Sequence, residues 1–175
     1  MKNKKVMRAV NEVYEWSKIV LFAFLIAFFV KSTVVASAKV PTGSMEGTVM
    51  TGSRIIINRL AYVYGTPHRG DIVAFYYPDD GKTLYLKRVI GLPGETIEGK
   101  DGKIYIDGAE ITDYTENEFQ EDFGPFYIPN ECYFMMGDNR NNSWDSRYWV
   151  NKYVNIQDIM GKAEFEYYPE IKVLN

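Results

Sequence analysis

The sequence predicts a mainly β domain behind one N-terminal membrane-spanning helix. Three observations carry that expectation. Every residue from Ile19 to Val30 is apolar. After Val40 no long stretch keeps a helical period. Short runs rich in β-branched and aromatic residues take its place, separated by Gly, Pro and Asp turns.

The apolar run reads IVLFAFLIAFFV, with Trp16 and Lys18 on one flank and Lys31 on the other. A bilayer core of about 30 Å needs about 20 helical residues. Trp16, the snorkelling stems of Lys18 and Lys31, and the mostly apolar stretch Val34–Val40 are expected to extend the span. Residues 1–18 hold Lys2, Lys4, Lys5, Arg8 and Lys18 against Glu12 and Glu15, an excess of positive charge ahead of the run. The positive-inside rule then puts the N-terminus in the cytoplasm and everything after Lys31 outside. A basic start, an apolar run and the small-x-small triplet Ala36-Ser37-Ala38 also describe a secretory leader. Composition alone does not choose between a retained anchor and a cleaved leader.

If the anchor is retained, as the resemblance below implies, residues 1–38 are basic tail and anchor and 39–175 one extracytoplasmic domain. Strands are expected over Ile55–Ile57, Asp71–Tyr77, Leu84–Ile90, Lys103–Asp107, Glu131–Met136 and Lys162–Tyr168. Gly65–Gly70, Pro78–Lys82, Gly91–Gly94, Asp101-Gly102 and Asp107-Gly108 read as turns. Thr115–Gly124, TENEFQEDFG, is acidic and lacks calcium-loop spacing, so it reads as a solvated loop. The 20 Lys+Arg against 23 Asp+Glu argue against a nucleic-acid partner, which a clustered basic face would normally meet. The single cysteine, Cys132, has no internal disulfide partner and reads as a small core residue.

Four segments stand out: PTGSMEGT (Pro41–Thr48), RGDIVAF (Arg69–Phe75), YLKRVIGLPGE (Tyr85–Glu95) and GDNRNNSWDSRYW (Gly137–Trp149). In this order, behind an N-terminal anchor, they resemble the motif boxes of the bacterial type I signal peptidases, in the compact form without a large extra β-domain. The resemblance implies the β-rich fold of that family, a membrane-bound serine endopeptidase, and cleavage of signal peptides from exported preproteins after small-x-small sites. It implies no cofactor or metal. Its expected surroundings are membrane lipid, signal peptides and the export translocon.

A serine hydroxyl needs a base before it becomes a nucleophile. The one histidine, His68, lies in the turn-rich stretch Gly65–Gly70 and reads as solvated. A lysine can serve if burial lowers its pKa. Along Leu84–Ile90, alternation places Tyr85, Lys87 and Val89 on one face and Leu86, Arg88 and Ile90 on the other. Arg88 does not deprotonate in proteins, and Arg88→Lys is expected to keep substantial activity. Periodicity leaves Lys87 a candidate, and its place in the third box favours it.

By resemblance, Ser44 is the nucleophile and Lys87 the general base. The Ser44 N–H and the Thr42 hydroxyl form the oxyanion hole. Ser143 orients the lysine, Asp145 and Arg147 form a supporting ion pair, and Tyr85 flanks the lysine. The chain departs from the usual boxes at Thr42 for serine, Gly47 for proline, Glu95 for aspartate and Val150 for glycine. Gly47 is expected to loosen the turn after Met45. Other readings remain open: a relative with a narrower substrate, such as a conjugation-system or self-processing peptidase; a silent anchored protein that holds signal peptides; or a secreted β-protein with a cleaved leader.

Overall fold

The computed structural model describes residues 2–174, with the side chains of residues 2–6 and 8–10 left aside. Lys2, Lys4, Lys5 and Arg8, on which the expected orientation rests, therefore have side chains outside the description. Residues 1–35 form one compact unit and 36–175 another.

The first unit is α1 (Lys2–Thr33). Its segment Asn11–Thr33, 23 residues, is long and apolar enough to cross a membrane; at 1.5 Å per residue it spans about 35 Å. The polar groups at its end are satisfied within the helix, because Ser32 and Thr33 hydroxyls both donate to the Phe29 carbonyl, at 3.0 and 2.7 Å. The span thus gains its length on the N-terminal side. Val34–Val40, expected to extend it, instead supplies a strand. β1 (Val35–Lys39) alternates its side chains, with Ala36 and Ala38 packed on a core cluster and Lys39 exposed. This strand draws residues 36–38 into the second unit, ahead of the expected boundary.

The remaining strands are β2 (Arg54–Asn58), β3 (Ile72–Tyr76), β4 (Leu84–Gly91), β5 (Thr96–Lys100), β6 (Lys103–Ile106), β7 (Ala109–Glu110), β8 (Phe123–Tyr127), β9 (Cys132–Met136), β10 (Val154–Asn155), β11 (Ile159–Tyr168) and β12 (Lys172–Val173). The larger sheet runs β1-β2-β11-β3-β4-β9-β10, with β12 paired to β11; the smaller runs β7-β6-β5-β8. The chain is therefore mainly β behind one helix. Every expected strand is present. Sequence patterning missed β1, β5, β7, β8, β10 and β12, which are short or interrupted by Gly and Pro, as in FGPFY and TIEGK.

Three apolar clusters hold the domain. One, with Val40, Met45, Val49, Ile55, Ile57, Ile72, Ala74, Ala163 and Leu174, lies beneath the turn that carries Ser44. A second, with Val73, Phe75, Val89, Tyr133, Met135 and Trp149, packs on the face of β4 that carries Tyr85. A third joins the small sheet to β4 and β9. Phe119 belongs to this third cluster at 3 % exposure. Thr115–Gly124 is thus not simply solvated: Phe119 anchors it, and its last two residues begin β8. Cys132 is half-buried against the same cluster.

Candidate active site

A 3₁₀ turn, Gly43–Met45, presents Ser44 at the surface of the sheet. Met45, fully buried, is its anchor; burying a methionine side chain contributes about 2 kcal/mol. The Glu46 and Val49 amides close the turn onto the Gly43 and Met45 carbonyls, at 3.1 and 2.8 Å. The last box clamps it from outside. The Asn139 amide donates to the Ser44 carbonyl at 3.1 Å, and the Asn139 side chain donates to the Gly43 carbonyl at 2.9 Å. Gly137 lies so close that a Cβ there would collide with the Ser44 carbonyl and the Ser143 hydroxyl, which fixes glycine at this position.

Lys87 comes from β4, directly across from Val73 of β3. Its Nζ donates to Ser44 Oγ, and the residue is 3 % exposed. Burial is the main cause that pushes its ammonium down from 10.5 to about 8; Asp145 pulls it back up, Arg147 adds to the lowering, and Asp138 opposes it. Tyr85 packs beside it, with its ring centroid 5.7 Å from Nζ. That ring is itself held by a parallel stack on Tyr77 at 4.7 Å and an edge contact with Trp149 at 5.8 Å. This aromatic packing adds to the burial of the lysine.

Arg88 does point elsewhere, but not to solvent. It is 2 % exposed and makes a two-pronged ion pair with Asp138, Nε–Oδ1 2.9 Å and Nη2–Oδ2 2.7 Å. A lysine cannot reproduce that fork, so the expected tolerance of Arg88→Lys is not supported by its surroundings. Asp138 also accepts the Thr48 hydroxyl at 2.5 Å, which ties the lysine strand to the far side of the nucleophile turn. Sequence reasoning gave Asp138 and Asn139 no role beyond a polar turn. No local pattern could pair Arg88 with a carboxylate 50 residues away.

Asp145 and Arg147 form a buried ion pair, Nε–Oδ1 2.8 Å and Nη2–Oδ2 2.9 Å. Asp145 also accepts the Gly137 amide at 3.0 Å, so the pair holds the segment that packs on Ser44. Ser143 is buried beside Gly137, and its hydroxyl has no hydrogen-bond partner among the described residues. Thr42 is exposed, in extended backbone, and its side chain does not cap the turn. Gly47 has φ 101°, a region open to glycine and closed to proline. Its substitution marks a turn of a different shape, fixed by the bonds above, rather than a loosened one. His68 stands apart with its side chain 84 % exposed, its ring 3.9 Å from Asp71.

Ser44, Lys87, Thr42, Ser143 and Tyr85 all face one groove of about 830 Å³. Val40, Met45, Ile55, Ile57, Ala74 and Leu86 give it an apolar floor. A serine with a buried, pKa-depressed lysine at its hydroxyl, beside an apolar groove, is equipped for acyl transfer from an extended peptide.

Proteins with similar sequences are signal peptidases. Signal peptidase I P of Bacillus subtilis subsp. natto is 34% identical over 176 residues, covering 94% of both chains. Signal peptidase I S of Bacillus subtilis (strain 168) is 33% identical, covering 97% of this chain and 96% of that one. A crystal structure of a signal peptidase I from Enterococcus faecalis V583 is 34% identical and covers 55% of this chain and 96% of that chain, with a TM-score of 0.48. The family model described as signal peptidase, peptidase S26, matches residues 13–168. With its peptidase-like groove and a family match over most of its length, the chain belongs to the signal peptidase family, peptidase S26.

Proposed function

We propose that the protein is a membrane-bound serine endopeptidase that removes N-terminal signal peptides from exported preproteins with a Ser44/Lys87 dyad. The observation that carries this reading is the buried Lys87 amine on the Ser44 hydroxyl within an apolar groove. At pH 8 an amine with a pKa of about 8 is about half neutral, against roughly 0.3% at 10.5, a gain of about 150-fold in available base.

In the proposed cycle, neutral Lys87 takes the Ser44 proton as Oγ attacks the scissile carbonyl. The developing oxyanion meets the Ser44 N–H and the Thr42 hydroxyl. Lys87 returns the proton to the leaving amine, and an acyl-enzyme remains on Ser44. Water, deprotonated by the same lysine, releases the signal peptide and restores the hydroxyl. The Ser143 hydroxyl, without a partner among the described residues, takes the ammonium once Lys87 has received the Ser44 proton, and the Asp145–Arg147 pair holds Gly137 against the nucleophile turn. The apolar floor favours small side chains at the first and third positions before the cut, giving Ala-x-Ala-like sites.

In the same reading α1 stays as the anchor, with the N-terminus cytoplasmic and the domain outside beside the export translocon. Residues 1–35 are tail and anchor, and the unit from Ala36 onward carries catalysis. The test incubates detergent-solubilised wild type and Ser44→Ala with a preprotein carrying Ala-x-Ala. Cleavage by wild type alone supports the assignment, and equal cleavage by both removes it.

A further inference from the structure

We propose that Lys172, paired with Glu166, is a positioning residue for the reaction: it holds the loop that carries Ser44 by its Thr48 carbonyl. The proposal rests on the reading of Ser44 as nucleophile.

The loop is closed at its neck by the backbone. The Val40 amide donates to the Ser53 carbonyl at 2.9 Å and the Gly52 amide to the Val40 carbonyl at 2.8 Å, so residues 41–51 project between them. Along this projection Glu46 is half-buried, and Gly47, Met50 and Thr51 are exposed. Met45 and Val49 anchor its inner face, and its exposed outer edge depends on polar ties to stay in place.

The ties come from β11 and β12. Glu166 is 1 % exposed, and its Oε1 accepts the Ser53 hydroxyl at the neck, at 2.6 Å. A carboxylate that deep needs a cation. Lys172 supplies it from the position directly across the β11–β12 ladder, with Nζ 3.2 Å from Oε2. The contact is an ion pair and not a hydrogen bond, since Glu166 Oε2 has no hydrogen-bond partner among the described residues; the ammonium instead donates to the Thr48 carbonyl at 2.7 Å. Thr48 is thereby held twice, by Lys172 at its carbonyl and by Asp138 at its hydroxyl. Leu174, 2 % exposed in the cluster beneath the turn, pins β12 in place. Lys172 does not line the groove, so its effect should fall on Ser44 placement and not on peptide affinity.

The full-length chain in detergent, with an Ala-x-Ala preprotein as substrate, tests this. Lys172→Met should lower kcat on the order of tenfold, since small misplacements of a reacting group are costly, and leave KM within about twofold. The pH midpoint of the rising limb should not move. Lys172→Arg, which can still reach both acceptors, should recover most of the loss. Because Lys172→Met strands a buried carboxylate, Glu166→Gln/Lys172→Met removes that charge. This double variant should regain thermal stability and keep the kcat deficit. Recovery of wild-type kcat in the double variant, an unchanged kcat in Lys172→Met, or a displaced pH midpoint would each overturn the proposal. Ser44→Ala run alongside separates the two ideas: its retention of activity removes the nucleophile assignment, and this proposal with it.

Discussion

The Lys87 amine meets the Ser44 hydroxyl with only 3 % of the lysine exposed. One contact thus couples the proposed nucleophile to the proposed base, whose pKa is set by the same burial. For catalysis, kcat/KM should rise with pH along a limb centred near about 8, the value to which burial lowers Lys87. Lys87→Arg keeps the charge but cannot give up a proton, so it should be as inactive as Lys87→Ala. His68→Ala should keep near-normal turnover. A pH–rate series on the three variants checks this, and loss of activity in His68→Ala alone would name the other base.

The same burial costs stability. Below pH 8 both folded and unfolded states hold the Lys87 proton, and the full penalty, about 3 kcal/mol for the drop from 10.5 to about 8, is present. Between about 8 and 10.5 the folded state releases the proton while the unfolded state keeps it, so this contribution becomes less unfavourable as pH rises. The stability gap between Lys87→Met and wild type should therefore be widest at pH 7 and narrow toward pH 10. Denaturant titrations of the pair measure it, and a gap that does not depend on pH contradicts it.

Gly47 offers a backbone test. A Cβ there would sit 3.4 Å from Asn117 Nδ2, ordinary contact, so the cost of Gly47→Ala is conformational and about 1–2 kcal/mol. Gly47→Pro forces φ to about −65° from 101°. It should displace Thr48 from Asp138 and lower kcat further than the alanine does. Thermal melts with matched kinetics decide this; a proline variant as stable and active as wild type would mean that the turn accepts the other shape.

Ala36-Ser37-Ala38 matches the proposed cleavage preference, yet in β1 its two alanines pack on the core and Ser37 shares a hydrogen bond with Tyr167 at 2.7 Å. Cutting after Ala38 requires this strand to leave the sheet. Self-cleavage to a fragment starting at Lys39 should be slow in native buffer and speed up in urea too weak to unfold the domain. N-terminal sequencing over time would show it. A rate indifferent to urea would mean that the triplet is reached while folded.

The long strands were legible because Val, Ile and aromatic residues alternate in them. β1 was hidden by Ala, Ser and Lys, whose intrinsic strand preference is weak; its pairing comes from the sheet. Ser44 and Lys87 could be named from their boxes, and alternation separated Lys87 from Arg88. That Arg88 is equally buried was not legible, because its partner Asp138 arrives from a distant strand end. Glu166 lay within the expected strand Lys162–Tyr168, and Lys172 beyond it had no assigned place. Only the hairpin between β11 and β12 places them against the loop.

The ties on the nucleophile loop span long stretches of chain: Thr48 meets Asp138 across 90 residues and Lys172 across 124. Contacts so distant form late, after loop closure has been achieved many times over. A chain still being synthesised would already contain Ser44 and Lys87 without the supports that aim them. Proteolytic competence would then wait until these distant ties have closed around the loop.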